Sequence, residues 1–88
     1  MNEKTDLHKN DPLHGLTLET IVVDLQLVLG WKKMAEKIPI KCFQNDPSIK
    51  SSLVFLRKNP WARQKLEVMY RFNLKKIERM KSIDKKDS

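Results

Sequence analysis

The sequence is poor in the residues that form catalytic, metal or nucleotide sites. It has one cysteine, which excludes an internal disulfide, and its two histidines lie well before that cysteine without zinc-ligand spacing. The only glycines, Gly15 and Gly30, argue against a glycine-rich phosphate loop. No acid, base and nucleophile are grouped, and we expect Cys42 to be a small buried side chain. We therefore predict no enzyme, no cofactor and no metal.

Long apolar runs are also absent. Polar residues interrupt the apolar stretch at residues 16–29, so it does not form a membrane span. The first residues are polar and acidic, which is not the pattern of a secretory signal. We expect a cytoplasmic protein with no membrane partner.

Positive charge is abundant and unevenly distributed. The 88-residue chain has a net charge of +7, but residues 1–29 carry two lysines against five acidic residues, a net charge of −3. Residues 30–81 carry fourteen basic residues against four acidic ones, a net charge of +10. A basic folded region is typical of a surface that binds a phosphate backbone.

A chain of this length forms one domain. Residues 1–10 are polar without helical or strand period, so we expect a disordered N-terminal arm. Residues 11–81 form a single helical domain, and residues 82–88 form a charge-balanced, disordered C-terminal tail.

Helical spacing and caps define the first half of the domain. Thr17 is a suitable N-cap for a helix through Leu29, and Gly30 ends that helix. A short second helix covers Trp31 to Lys37, and Pro39 closes it. Residues 40–44 form an apolar link.

Two further helix starts follow, each a capping side chain beside a proline. The first signal predicts a helix from Pro47 to about Lys58. Asn59 and Pro60 repeat the signal and mark a boundary, after which the last helix extends to about Lys81. The fold is therefore predicted as all-α, a compact bundle of about four helices with a helix-turn-helix-like crossing of the last two.

The short connection at Asn59 gathers Arg57, Lys58 and Arg63, which we call the basic corner, beside Trp61. A helix N-terminus there also favours an anionic phosphate. The alternative is structural: Arg57 and Lys58 complement the C-terminal end of their own helix, and Trp61 is a packing anchor.

The chain resembles the VF-five-thirty family of small bacterial DNA-binding proteins, formerly a domain of unknown function. The similarity covers DPLHGLTLE at residues 11–19, GWKKMAEKIPIKCF at residues 30–43 and PSIKSSLVFLRKNPWAR at residues 47–63, and ends near Tyr70. The resemblance implies a four-helix fold with some likeness to the C-terminal DNA-binding domain of the RecA recombinase, and binding to double-stranded DNA. The basic extension after Tyr70 departs from the family pattern.

These observations predict a nucleic-acid-binding module, for double-stranded DNA, with weak sequence selectivity and a nucleoid-associated location. RNA binding shares the charge argument and stays open. A protein-interaction module or homodimer that uses Trp31, Trp61, Tyr70 and the apolar side of the last helix also stays open; we expect a monomer. Charge and position select the contact residues, the last three as a second rank: Lys50, Arg57, Lys58, Trp61, Arg63, Lys65, Lys32, Lys33 and Lys41.

Overall fold

Helices account for all the regular structure in residues 13 and 15–87, which the computed structural model describes. Six helices follow one another, where the sequence predicted about four. They are α1 (Leu18–Leu29), α2 (Trp31–Lys37), α3 (Lys41–Gln44), α4 (Ile49–Lys58), α5 (Pro60–Phe72) and α6 (Leu74–Asp87). The all-α class is confirmed, and the two additional helices are the single turn α3 and the helix produced by a break at Asn73.

Helix α1 is the centre of the fold, and its predicted start and end are confirmed. The Thr17 hydroxyl accepts a hydrogen bond from the Thr20 N–H at 3.1 Å, which caps the first turn. Gly30 ends the helix at φ +86°, a conformation that glycine adopts without steric cost. Helices α2, α4, α5 and α6 all pack against α1.

The core is made from every helix. Its members expose less than a tenth of their surface to solvent and are mostly aliphatic: Leu13, Leu18, Ile21, Val22, Leu25, Met34, Ile38, Ile40, Phe43, Leu53, Leu56, Ala62, Leu66, Met69, Tyr70 and Ile77. Phe43 lies on α3, the single-turn helix that replaces the predicted link. Its ring packs against that of Trp31, with 5.7 Å between the ring centroids.

Helix α4 begins two residues later than predicted. Ser48 is the N-cap, and its hydroxyl accepts a hydrogen bond from the Ser51 N–H at 3.1 Å. Asp46 has a left-handed backbone, with φ +48°, so the chain turns before Pro47 and the helix starts at Ile49. The predicted boundary at Asn59 is confirmed, with Pro60 in the first turn of α5.

Asn73 divides the predicted long last helix into α5 and α6. Its side-chain amide donates to the Met69 carbonyl at 2.8 Å, and its backbone N–H lies 3.1 Å from the carbonyls of both Met69 and Tyr70. These bonds shift the backbone away from helical geometry, to ψ +15°. The chain then continues as α6 to Asp87, beyond Lys81 where the sequence predicted the end.

The predicted N-terminal arm at residues 1–10 lies outside the described residues, and so does residue 88. The predicted tail at residues 82–88 is helical up to Asp87. The division into arm, domain and tail otherwise stays a prediction. No helix of the described part is long and apolar enough to cross a membrane.

A buried carboxylate connects three helices. Asp24 of α1 is 5% exposed, and its Oδ2 accepts a hydrogen bond from the Tyr70 hydroxyl of α5 at 2.7 Å. The Lys81 ammonium of α6 lies 2.9 Å from the same oxygen. A carboxylate removed from water without partners would be costly, so both groups stabilise the packing of α5 and α6 on α1.

Removing the hydrogen bond between the two buried groups should destabilise the fold more than removing the ion pair with the partly exposed Lys81. We expect Tyr70→Phe to lower the free energy of unfolding by about 1.5–3 kcal/mol, the range for a hydrogen bond to a charged group. Lys81→Ala should cost about 0–1 kcal/mol, because the Lys81 side chain is 45% exposed. Urea unfolding followed by circular dichroism measures both, and a larger loss from Lys81→Ala would contradict this assignment.

Burial, reinforced by the hydrogen bond to Asp24, raises the pKa of Tyr70 above its ordinary value. A raised folded-state pKa stabilises the fold below the unfolded pKa, about 10, and this contribution is lost as the pH rises above it. We therefore expect the wild type to lose more stability than Tyr70→Phe between about pH 9 and 11.

Paired urea titrations across this pH range measure the difference, and equal losses would contradict the prediction. Because Tyr70 is the only tyrosine, its ultraviolet difference absorbance also reports its ionisation directly.

Candidate nucleic-acid interface

The basic corner is built from the last turn of α4 and the first turn of α5, joined by the single residue Asn59. The Asn59 side-chain amide donates to the Phe55 carbonyl at 2.8 Å, which satisfies an end carbonyl of α4. Pro60 then starts α5, and the two helices pack against each other. Arg57 and Lys58 lie in the last turn of α4, where they also complement the helix dipole.

Arg63, the fourth residue of α5, is partly neutralised. Its Nε lies 3.2 Å from Glu67 Oε2, an ion pair on one helix face. Trp61 packs edge-on against Phe55, with 6.3 Å between ring centroids, and leaves half of its surface exposed. Trp61 is thus both a packing contact for α4 and an exposed ring beside the corner.

Lys50 lies on the same face of α4 as Arg57. Seven residues separate them, which is about two helical turns and about 10.5 Å along the axis. One strand of duplex DNA carries a charge about every 3.4 Å of helix axis, so this distance corresponds to roughly three phosphates. The spacing suits contacts along a strand.

All nine predicted contact residues are exposed, but they do not form one surface. Six lie on the packed helices α4 and α5, and Lys41 lies on α3, which packs against α4. Lys32 and Lys33 lie on α2, which within the described residues packs against α1 and α3. The six residues on α4 and α5 are Lys50, Arg57, Lys58, Trp61, Arg63 and Lys65.

A protein-docking surface made of the predicted aromatic residues is not favoured by their positions. Tyr70 is 1% exposed, and Trp31 is partly buried against Phe43. Of these three aromatic residues, only Trp61 presents much of its ring to solvent.

An exposed apolar stripe on α5 that includes Val68 and Phe72 was not predicted from the sequence. Phe72 is 84% exposed and Val68 49% exposed, and both line an open groove of about 560 Å³ between α2 and α5. Lys37 and Lys65 line the same groove. The sequence contains a pattern that predicts this stripe. Along one face of the helix, beside the buried stripe, lie Trp61, Lys65, Val68 and Phe72 at helical spacing.

Cys42 has the character expected of a structural cysteine. Its side chain is partly buried against the core, and burial raises the pKa of the thiol, which disfavours the nucleophilic thiolate. The neighbouring Ser52 hydroxyl lowers that pKa to a smaller extent, although Ser52 Oγ is buried without a hydrogen bond of good geometry. Among the described residues, no three histidine, cysteine or acidic side chains are grouped to hold a metal ion.

Comparison with known proteins identifies the family. None of the curated proteins matches the chain. The family model described as DNA-binding protein VF530 matches residues 9–71, which include the basic corner and helices α1 to α4. This is the VF-five-thirty family that the sequence resembles up to about Tyr70, so the predicted family is confirmed. Because the match spans most of the 88 residues, this chain belongs to the VF530 family of DNA-binding proteins.

Proposed function

We propose that this protein binds double-stranded DNA through the basic corner and the flanking Lys50 and Lys65. The observation that carries the proposal is the exposure of all five cationic side chains on two packed helices joined at one residue. Membership of a DNA-binding family supports the choice of ligand.

The binding we propose is mainly electrostatic. Lysine and arginine side chains on phosphates orient a protein on DNA but do not read its sequence, so selectivity is weak. Each neutralised phosphate contributes about 0.9 to the slope of log affinity against log salt on duplex DNA. Five such contacts predict a slope of about −4.5.

RNA is the alternative that shares this charge argument. A duplex of RNA has a different groove shape and presents 2′-hydroxyl groups, so the two duplexes place phosphates differently around the corner. Titration of duplex DNA and duplex RNA of the same sequence separates them. Tighter binding of the RNA duplex would overturn the choice of DNA.

Removing charge from the corner should reduce the salt dependence. We expect Arg57→Ala/Lys58→Ala to flatten the slope by about 1.8, because two phosphate contacts are lost at about 0.9 each. Fluorescence anisotropy with a labelled DNA duplex over a range of salt concentrations measures the slope.

The matched control is Lys75→Ala/Arg79→Ala, which removes one lysine and one arginine from exposed positions of α6. This control should leave the slope almost unchanged. If both variants flatten the salt slope equally, the effect is due to net charge, and the proposal that the basic corner contacts DNA is wrong.

Releasing Arg63 from its ion pair should strengthen binding. Glu67→Gln removes the negative charge 3.2 Å from the Arg63 guanidinium. At such distances one unit charge contributes about 1 kcal/mol in water, so we expect the affinity for duplex DNA to rise by up to about fivefold at low salt.

The same anisotropy titration measures this change, with Glu78→Gln on α6 as the control of equal charge. An equal rise from both substitutions would contradict a specific role for Arg63.

A further inference from the structure

We propose that the groove lined by Phe72 binds a short stretch of single-stranded DNA, with the Phe72 ring stacked on an unpaired base. This inference rests on the proposed DNA binding and extends it to a second form of the ligand. We call the site the Phe72 groove.

The Phe72 groove separates α2 from α5. Lys37 and Ile38 line one side, and Lys65, Val68 and Phe72 line the other. Its volume is about 560 Å³, open to solvent. A second depression of about 370 Å³ continues it across the junction of α5 and α6, because Lys37, Met69 and Asn73 line both. The two depressions share these three lining residues and together form one channel.

The channel has basic walls. Lys37 and Lys65 line the first part, and Lys33, Lys37 and Lys76 line the second. Glu36 is the acidic residue among those that line the two parts. A polyanion is therefore favoured along the whole length, and each lysine can contact a phosphate without a fixed orientation.

Two apolar side chains of the channel are exposed to solvent instead of being packed in the core. Phe72 is 84% exposed and Val68 49% exposed, while Leu66 and Met69 of the same helix are buried in the core. Phe72, Val68 and Trp61 lie on one face of α5 and together form an exposed apolar stripe, which is typical of an interaction surface. Proteins that bind single-stranded nucleic acid combine basic residues along the phosphate backbone with aromatic rings that stack on the bases.

The exposed stripe also connects the groove to the proposed duplex site. Trp61, beside the basic corner, and Phe72 lie on one face of α5, eleven residues and about 16 Å apart. Bases of an intact duplex are stacked on each other and cannot turn into a groove. Bases of an unpaired segment next to a duplex can turn into the groove. One DNA molecule with a gap or a single-stranded end would therefore contact both surfaces.

The test uses a labelled thymidine oligonucleotide of about ten nucleotides, within the range that such sites occupy. We expect Phe72→Ala to weaken its binding about 5- to 150-fold, since stacking contributes about 1–3 kcal/mol per base. Phe72→Trp should retain binding. Neither substitution should change duplex affinity, and Val54→Ala, an exposed apolar position on α4, is the matched control.

The outcomes separate this inference from the proposed function. If duplex DNA binds with the expected salt slope but the thymidine oligonucleotide does not bind, or binds Phe72→Ala as tightly as the wild type, the groove is not a single-strand site. If neither form of DNA binds, both proposals fail.

Two further arms test other occupants of the groove. A uridine oligonucleotide that binds more tightly than the thymidine one would overturn the choice of DNA. Sedimentation equilibrium at several protein concentrations tests a second copy of the chain: self-association that Phe72→Ala abolishes, with oligonucleotide binding unchanged, would overturn the inference.

Discussion

The buried carboxylate of Asp24 is the interaction on which the arrangement of the helices depends. A charge on the central helix α1 is tolerated because the Tyr70 hydroxyl and the Lys81 ammonium both reach the same oxygen, at 2.7 and 2.9 Å. Tyr70 belongs to α5 and Lys81 to α6, so the partners of one buried charge link both helices to α1. Apolar packing around Leu25 and Leu66 favours contact in general, whereas these bonds specify a particular arrangement.

Three junctions of one residue then determine what the helices present to solvent. Gly30 turns the chain from α1 into α2 by adopting a positive φ. At Asn59 and Asn73, the side-chain amide donates a hydrogen bond to a carbonyl of the preceding turn. The junction at Asn59 gathers the basic corner. The junction at Asn73 ends α5 directly after Phe72 and lies in the channel itself. Local hydrogen bonding thus positions both proposed DNA surfaces.

Much of this organisation was visible in the sequence, and the exceptions have physical causes. The cap at Thr17, the stop at Gly30 and the boundary at Asn59 depend on local chemistry and were predicted correctly. The break at Asn73 was missed, because an asparagine within an apolar helical pattern either faces solvent or bonds to the preceding turn, and periodicity does not distinguish the two. The separation of Lys32 and Lys33 from the corner required the packing of α2.

The amino-acid sequence alone establishes the all-α class, the concentration of positive charge in residues 30–81 and the family, because these follow from composition, periodicity and similarity over most of the chain. Packing decides which side of α5 becomes the core. That helix has two apolar stripes, one with Leu66 and Met69 and one with Val68 and Phe72, and its sequence does not rank them. Helices α1, α4 and α6 pack against α5, where the first stripe is buried and the second faces solvent. The stripe with Val68 and Phe72 is a surface because the neighbouring helices cover the other stripe of α5.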